Sequence, residues 1–159
     1  GSCYEGGVRV PLIVRGPEVA QGKISSEPVY APDLYPTLLR AAGLADQAEA
    51  GLDGVDFTSL LQNPDASLGR EALYFHYPHY YQTTTPVSAL RKGDWKLLEY
   101  YEDDRLELFN LKHDPGETKN LSTANSVLAK RLRMELDVWR KKVGAQLPEP
   151  NPDWKPRRK

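Results

Sequence analysis

Residues 87–110 run VSALRKGDWKLLEYYEDDRLELFN. Three apolar-rich segments, 87–91, 95–100 and 106–110, alternate with two clusters of turn formers, Lys92-Gly93-Asp94 and Glu102-Asp103-Asp104. Short strands joined by tight connections pair with their immediate neighbours, which predicts an antiparallel meander. A fourth strand is expected upstream, over 72–77. Downstream, Leu128, Leu132, Leu136, Trp139 and Val143 recur at helical spacing, and an amphipathic helix over 125–143 should cover one face of the sheet. Trp95 and Leu97 would then face the helix, with Lys96 and Leu98 facing away. The remainder, LPEPNPDWKPRRK, is too rich in proline for regular structure, and Lys155, Arg157, Arg158 and Lys159 read as a solvated tail.

Towards the N-terminus the pattern changes. Val8, Val10, Leu12, Ile13 and Val14 form an apolar run that suits a strand buried on both faces, as in a parallel sheet covered by helices. Pro11 has no N–H for a ladder, so this strand should lie at an edge or carry a bulge. DLYPTLLRAAG, over 33–43, reads as a helix with Asp33 and Pro36 at its start, a stripe of Leu34, Leu38, Leu39 and Ala42, and Gly43 as its stop. A strand, a loop and a helix make one unit of an α/β layer. Between 45 and 70 a short apolar island at 57–61 predicts a helical turn inside a connecting segment. The expected organisation is a piece of an α/β domain over 1–66, a small α+β domain over 67–145 and a tail over 146–159.

The 159 residues suit one ordinary domain or a small domain with part of another. Lys and Arg number 21 against 22 Asp and Glu, a balance that argues against a nucleic-acid surface. No apolar run is long enough to span a bilayer, so no membrane partner is expected. A lone cysteine, Cys3, forbids an internal disulfide. The chain does not open on Met and enters its apolar run without a polar lead-in, as though cut from a longer protein; Gly1-Ser2 is either a cloning scar or native sequence. Ester cleavage needs a nucleophile, positive charge for the oxyanion and a proton donor converging on one point. No Ser/His/Asp or Cys/His set, P-loop or zinc spacing is legible around His76, His79 or His113.

Four segments in order, YEGGVRVPLIVRGP at 4–17, DLYPTLLRAAG at 33–43, ALRKGDWKLLEY at 89–100 and LELFNLKHDPGETKNL at 106–121, resemble the C-terminal third of the formylglycine-dependent sulfatases of the alkaline phosphatase superfamily. The resemblance implies α/β with α+β architecture: a stub of the central sheet, strand plus helix, then a four-stranded antiparallel sheet on a C-terminal helix. It implies a parent that hydrolyses sulfate monoesters of carbohydrates or aryl groups and is periplasmic, secreted or lysosomal. Formylglycine and calcium are expected in the complete enzyme, and no cofactor or metal in this chain. The family's Cys-x-Pro-x-Arg or Ser-x-Pro-x-Arg motif does not occur, since Cys3 is followed by Tyr4, Glu5, Gly6 and Gly7. The chain alone should therefore be inactive, a wall of the pocket that lacks nucleophile and metal ligands, with the remainder of the enzyme as partner.

Substrate contact falls to LYFHYPHYYQTTTP, which carries five aromatic rings besides two imidazoles. His76, His79, Tyr80 and Tyr81 could stack on a sugar and donate hydrogen bonds, and in similar sulfatases the corresponding loop faces the pocket mouth; the alternative is aromatic packing with His76 satisfied in the core. Glu5 is pocket-adjacent by the resemblance, or a brace for the Gly6-Gly7 turn. DPGE at 114–117 reads as a turn rather than a metal site. Two rival functions remain, a free-standing glycan-binding module and a phosphate mono- or diesterase of the same superfamily. The unpartnered run at 8–14 is expected to drive self-association through residues 1–45.

Overall fold

A computed structural model of the chain describes residues 2–47, 49–149 and 151–153. The basic residues Lys155, Arg157, Arg158 and Lys159 of the expected tail, and Gly1, lie outside the described residues. The chain divides into two compact units, Gly1–Val10 with Glu71–Lys159, and Pro11–Arg70.

The first unit contains the meander. Strands β1 (Leu73–Tyr77), β2 (Val87–Lys92), β3 (Trp95–Tyr100) and β4 (Leu106–Asn110) pair antiparallel in chain order. Lys92 pairs with Trp95 across a two-residue loop, where Gly93 takes φ +56°, a conformation a side chain would resist. Helix α4 (Ser126–Val143) ends at Gly144, whose φ of +61° lets its N–H and that of Ala145 cap the last carbonyls.

Alternation along the strands separates two faces. Leu90, Leu97 and Leu108 join Ala129, Leu132 and Leu136 of α4 in one core, and Trp139 stacks on Tyr74 with centroids 4.8 Å apart. Each fully buried leucine stabilises by about 1.5–3 kcal/mol. On the other face Val87, Ala89, Leu98, Tyr100, Phe109 and Leu111 surround Cys3. This face is not open to solvent: residues 2–8, including the short helix α1 (Glu5–Val8), lie across it. Gly7 permits the tight fold of this segment, because a Cβ there would stand 2.3 Å from the Ser2 carbonyl oxygen.

The second unit holds a 3-10 turn at Ala31–Asp33, helix α2 (Leu34–Ala41), a turn at Ala45–Gln47 and helix α3 (Thr58–Gln62). Asp33 is completely buried as its hub. Its carboxylate accepts from Tyr30 N–H at 2.9 Å and Val55 N–H at 2.8 Å and pairs with Arg70 at 2.5 Å.

Two expectations are corrected. The strand over 8–14 does not form: Val8 ends α1, and residues 9–14 carry no ladder. A strand needs a neighbour to exchange N–H···O bonds with, and no described residue supplies one. The stripe of α2 also faces outward, leaving Leu34 and Leu38 exposed while Thr37 is buried. Ile13 and Ile24 are 90% and 89% exposed in the same unit, an apolar surface of the kind that marks a contact site.

Candidate functional site

The aromatic segment spans β1 and the connection to β2. His76 lies within β1, on the face covered by α4, and both its ring nitrogens are engaged. Nε2 is 2.8 Å from the Gln146 carbonyl oxygen, and Nδ1 is 2.7 Å from Ser88 Oγ. A carbonyl only accepts, so Nε2 carries a proton, and in the neutral ring Nδ1 then accepts. The chain of donors runs from Arg140 to Tyr101 Oη (2.8 Å), from Tyr101 to Ser88 Oγ (2.5 Å) and on to His76. Arg140 also pairs with Glu99 Oε2 at 2.7 Å, and Arg133 with Glu99 Oε1 at 2.7 Å. The Arg140 guanidinium is held more firmly protonated than usual by Asp137, Tyr101 and Glu99, which outweigh its burial. With Ser88 fully buried, this relay is a closed brace of the sheet end and offers no accessible nucleophile.

His79, Tyr80 and Tyr81 are different. All three are exposed, at the end of the sheet where the β1–β2 connection meets the β3–β4 turn. The connection is pinned rather than loose: Tyr81 and Thr84 exchange backbone hydrogen bonds at 3.0 and 3.2 Å. Tyr80 Oη donates to Glu102 Oε1 at 2.7 Å, which raises its pKa, and the His79 ring meets Tyr77 edge-on with centroids 5.5 Å apart. Tyrosine faces and an imidazole held on a rigid sheet end can stack on a pyranose and hydrogen-bond its hydroxyls.

Glu5 belongs to a separate constellation that sequence reasoning did not find. Its Oε1 lies 2.9 Å from Lys96 Nζ, and the same Nζ lies 3.1 Å from Glu117 Oε1. Glu117 in turn accepts the Glu5 backbone N–H at 2.5 Å, and Arg91 approaches Glu5 Oε2 at 3.6 Å. Lys96 is wholly buried. It points away from α4, as the alternation predicts, but into a lid of residues 2–8 and the turn at 114–117 instead of into water. Glu117 holds φ +54° to reach it. Asp114 closes that turn by accepting from the Thr118 and Lys119 N–H groups, contacts that lower its pKa. The Glu5–Lys96 pair spans 91 residues, and no local pattern encodes such a contact.

Neither formylglycine nor calcium fits the residues present. Cys3 is buried under the sheet, and burial pushes its thiol pKa up, the opposite of an activated thiol. Among the described residues no three His, Cys, Asp or Glu side chains converge to hold a metal ion.

Residues 2–142 match the family described as N-sulphoglucosamine sulphohydrolase, C-terminal. The chain belongs to this sulfatase family. It is 35% identical over 155 residues to a sulfatase of Formosa agariphila, an alignment covering 87% of this chain and 28% of that one. Among solved structures it superposes on a 2-O GAG sulfatase with TM-score 0.67 and 27% identity, over 82% of this chain and 29% of the other. A protein solved in complex with its substrate D-glucosamine-2-N,6-O-disulfate matches with TM-score 0.54 and 26% identity, over 70% of this chain and 24% of the other. The chain thus spans under a third of the length of these relatives, and the antiparallel sheet with its C-terminal helix is a sulfatase architecture.

Proposed function

We propose that this chain is the C-terminal portion of a sulfatase that hydrolyses sulfate monoesters of carbohydrates. In this reading the connection bearing His79, Tyr80 and Tyr81 is a wall of the substrate pocket, and the rest of the enzyme is the partner that supplies formylglycine, calcium and the charges that hold sulfate. The observation that carries the reading is family membership over nearly the whole chain, joined to a rigid, exposed aromatic tip of the kind that binds sugars. His76 leaves the candidate set, because both its nitrogens are committed inside the sheet brace. Glu5 is a bracing residue, held by Lys96 and Glu117. Chemically, sulfate release needs attack at sulfur, cleavage of an S–O bond and a proton for the departing sugar oxygen; the residues described here orient the sugar and leave those steps to the partner.

The test is steady-state hydrolysis by the complete polypeptide that contains this chain, with Tyr80→Ala and Tyr81→Ala combined. The expected result is a KM for a sulfated oligosaccharide raised about tenfold, the loss of roughly one stacking contact, with turnover of a small aryl sulfate little changed. Equal loss on both substrates would remove these tyrosines from the substrate wall. Release of phosphate in preference to sulfate would replace the sulfatase reading with the phosphoesterase one.

A further inference from the structure

The charge around the aromatic tip is one-sided. The β1–β2 connection, PHYYQTTTP at 78–86, contains no Lys or Arg, and the turn it meets is Glu102-Asp103-Asp104. Among the described residues Glu102 and Asp103 have no cationic partner, and all three acidic side chains are exposed. The nearby cations are already committed. Arg105 pairs with Glu107 at 3.3 Å and lies over the Tyr100 ring at 4.1 Å. Arg133 pairs with Glu99 at 2.7 Å and reaches Asp104 only at 4.0 Å.

Tyr80 and Tyr81, adjacent in the chain, present 67% and 54% of their surface to solvent. The Tyr80 hydroxyl is tied to Glu102, so the ring is held in place before any ligand arrives, and less freedom is lost on binding. Its ring stays available, and the Glu102 carboxylate keeps a second oxygen free to accept hydroxyl hydrogens. An aromatic face beside acceptors matches a pyranose, which offers an apolar C–H face and a rim of O–H donors. A ring bearing sulfate or carboxylate would bring like charge against these acidic side chains, with no uncommitted Lys or Arg beside them among the described residues to offset it.

We infer that the Tyr80–Glu102 tip takes an uncharged sugar ring, stacked on the exposed tyrosines and held through its hydroxyls by Glu102, and rejects rings that carry further anionic groups. The inference rests on the carbohydrate reading above and narrows it: the substrate carries its scissile sulfate next to a neutral sugar unit and is not a uniformly polyanionic chain.

The experiment is an NMR titration of the full 159-residue chain, following the backbone amides of residues 77–85 and 100–105. The neutral probes are cellotriose, chitotriose and agarotetraose; the polyanionic probe is a heparin tetrasaccharide. At least one neutral probe should shift the tip amides at millimolar concentration while heparin leaves them unmoved. Tyr80→Ala should abolish the shifts, and Tyr80→Phe, which keeps the ring, should preserve them. Glu102→Gln should weaken neutral binding about tenfold, as expected for loss of a charge-assisted acceptor. Heparin binding at the tip of the unaltered chain, with no response to neutral probes, would overturn this inference and leave the carbohydrate reading standing. No tip response to any probe would likewise overturn this inference, and the carbohydrate reading is judged separately by hydrolysis with the complete polypeptide. Far-UV circular dichroism of each variant separates lost binding from lost fold.

Discussion

Replacing Lys96 by Met removes the only ammonium between two buried carboxylates. Glu5 and Glu117 retain 5% and 4% side-chain exposure, and their oxygens stand 2.9 and 3.1 Å from Nζ. Methionine fills nearly the same volume, so the loss is electrostatic and leaves no large cavity. Breaking a buried pair on one side typically costs about 3–5 kcal/mol, because the remaining charge has neither water nor partner. Here two carboxylates are stranded together, and Arg91, 3.6 Å from Glu5 Oε2, offsets part of the charge; about 4 kcal/mol is the expected loss. At about 2–4 °C per kcal/mol, the melting midpoint should fall by roughly 8–16 °C. The decisive comparison is the double variant Lys96→Met with Glu117→Gln. Glutamine still offers an oxygen to the Glu5 N–H but removes one of the stranded charges, so the double variant should be more stable than Lys96→Met alone. Urea unfolding followed by tryptophan fluorescence measures both. A cost below about 1 kcal/mol for the single variant, within the range of an exposed ion pair, or strict additivity in the double variant, would show that the buried cluster does not hold residues 2–8 on the sheet.

Alkaline stability follows from the tyrosines on the same face. Burial, then the hydrogen bond to Glu107, raises the Tyr4 pKa, and burial chiefly raises that of Tyr100. A phenol whose folded pKa is raised contributes stability that is whole below its unfolded value of about 10 and is lost as pH rises above it. The urea midpoint should therefore decline from about pH 10 upward, and Tyr4→Phe should flatten the decline; the same slope in both proteins would remove Tyr4 as its source. Association is the third expectation. Ile13, Ile24 and Leu38 are exposed by 90, 89 and 65%, and the chain should sediment as a dimer or larger at micromolar concentration, whereas the triple change to Lys should sediment as a monomer. A monomeric unaltered chain would show that this surface does not drive self-association.

Local pattern carried the α+β unit. The four strands lie where turn residues and apolar runs place them, and α4 follows the Leu128-Leu132-Leu136 stripe to its Gly144 stop. The run at 8–14 misled because an apolar pattern specifies that a segment is to be covered, not that its cover is present. Leu34 and Leu38 on α2 show the same limit. The site was legible only in part. His79, Tyr80 and Tyr81 stand exposed on the connection where loop position suggested, but His76 is half-buried and its ring nitrogens bond Ser88 and Gln146. Glu102 escaped notice because its partner Tyr80 comes from a separate hairpin end, and Lys96 because its carboxylates arrive from residues 5 and 117.

Sulfate release separates the part from the whole. The complete polypeptide and the 159-residue chain would be incubated separately with sulfated oligosaccharides and an aryl sulfate, and free sulfate measured by ion chromatography. The complete polypeptide should release sulfate, and the chain alone should not exceed a buffer blank. Release by the chain alone that survives repurification and calcium chelation, or a complete polypeptide that releases none, would contradict the assignment of this chain as the substrate wall of a sulfatase.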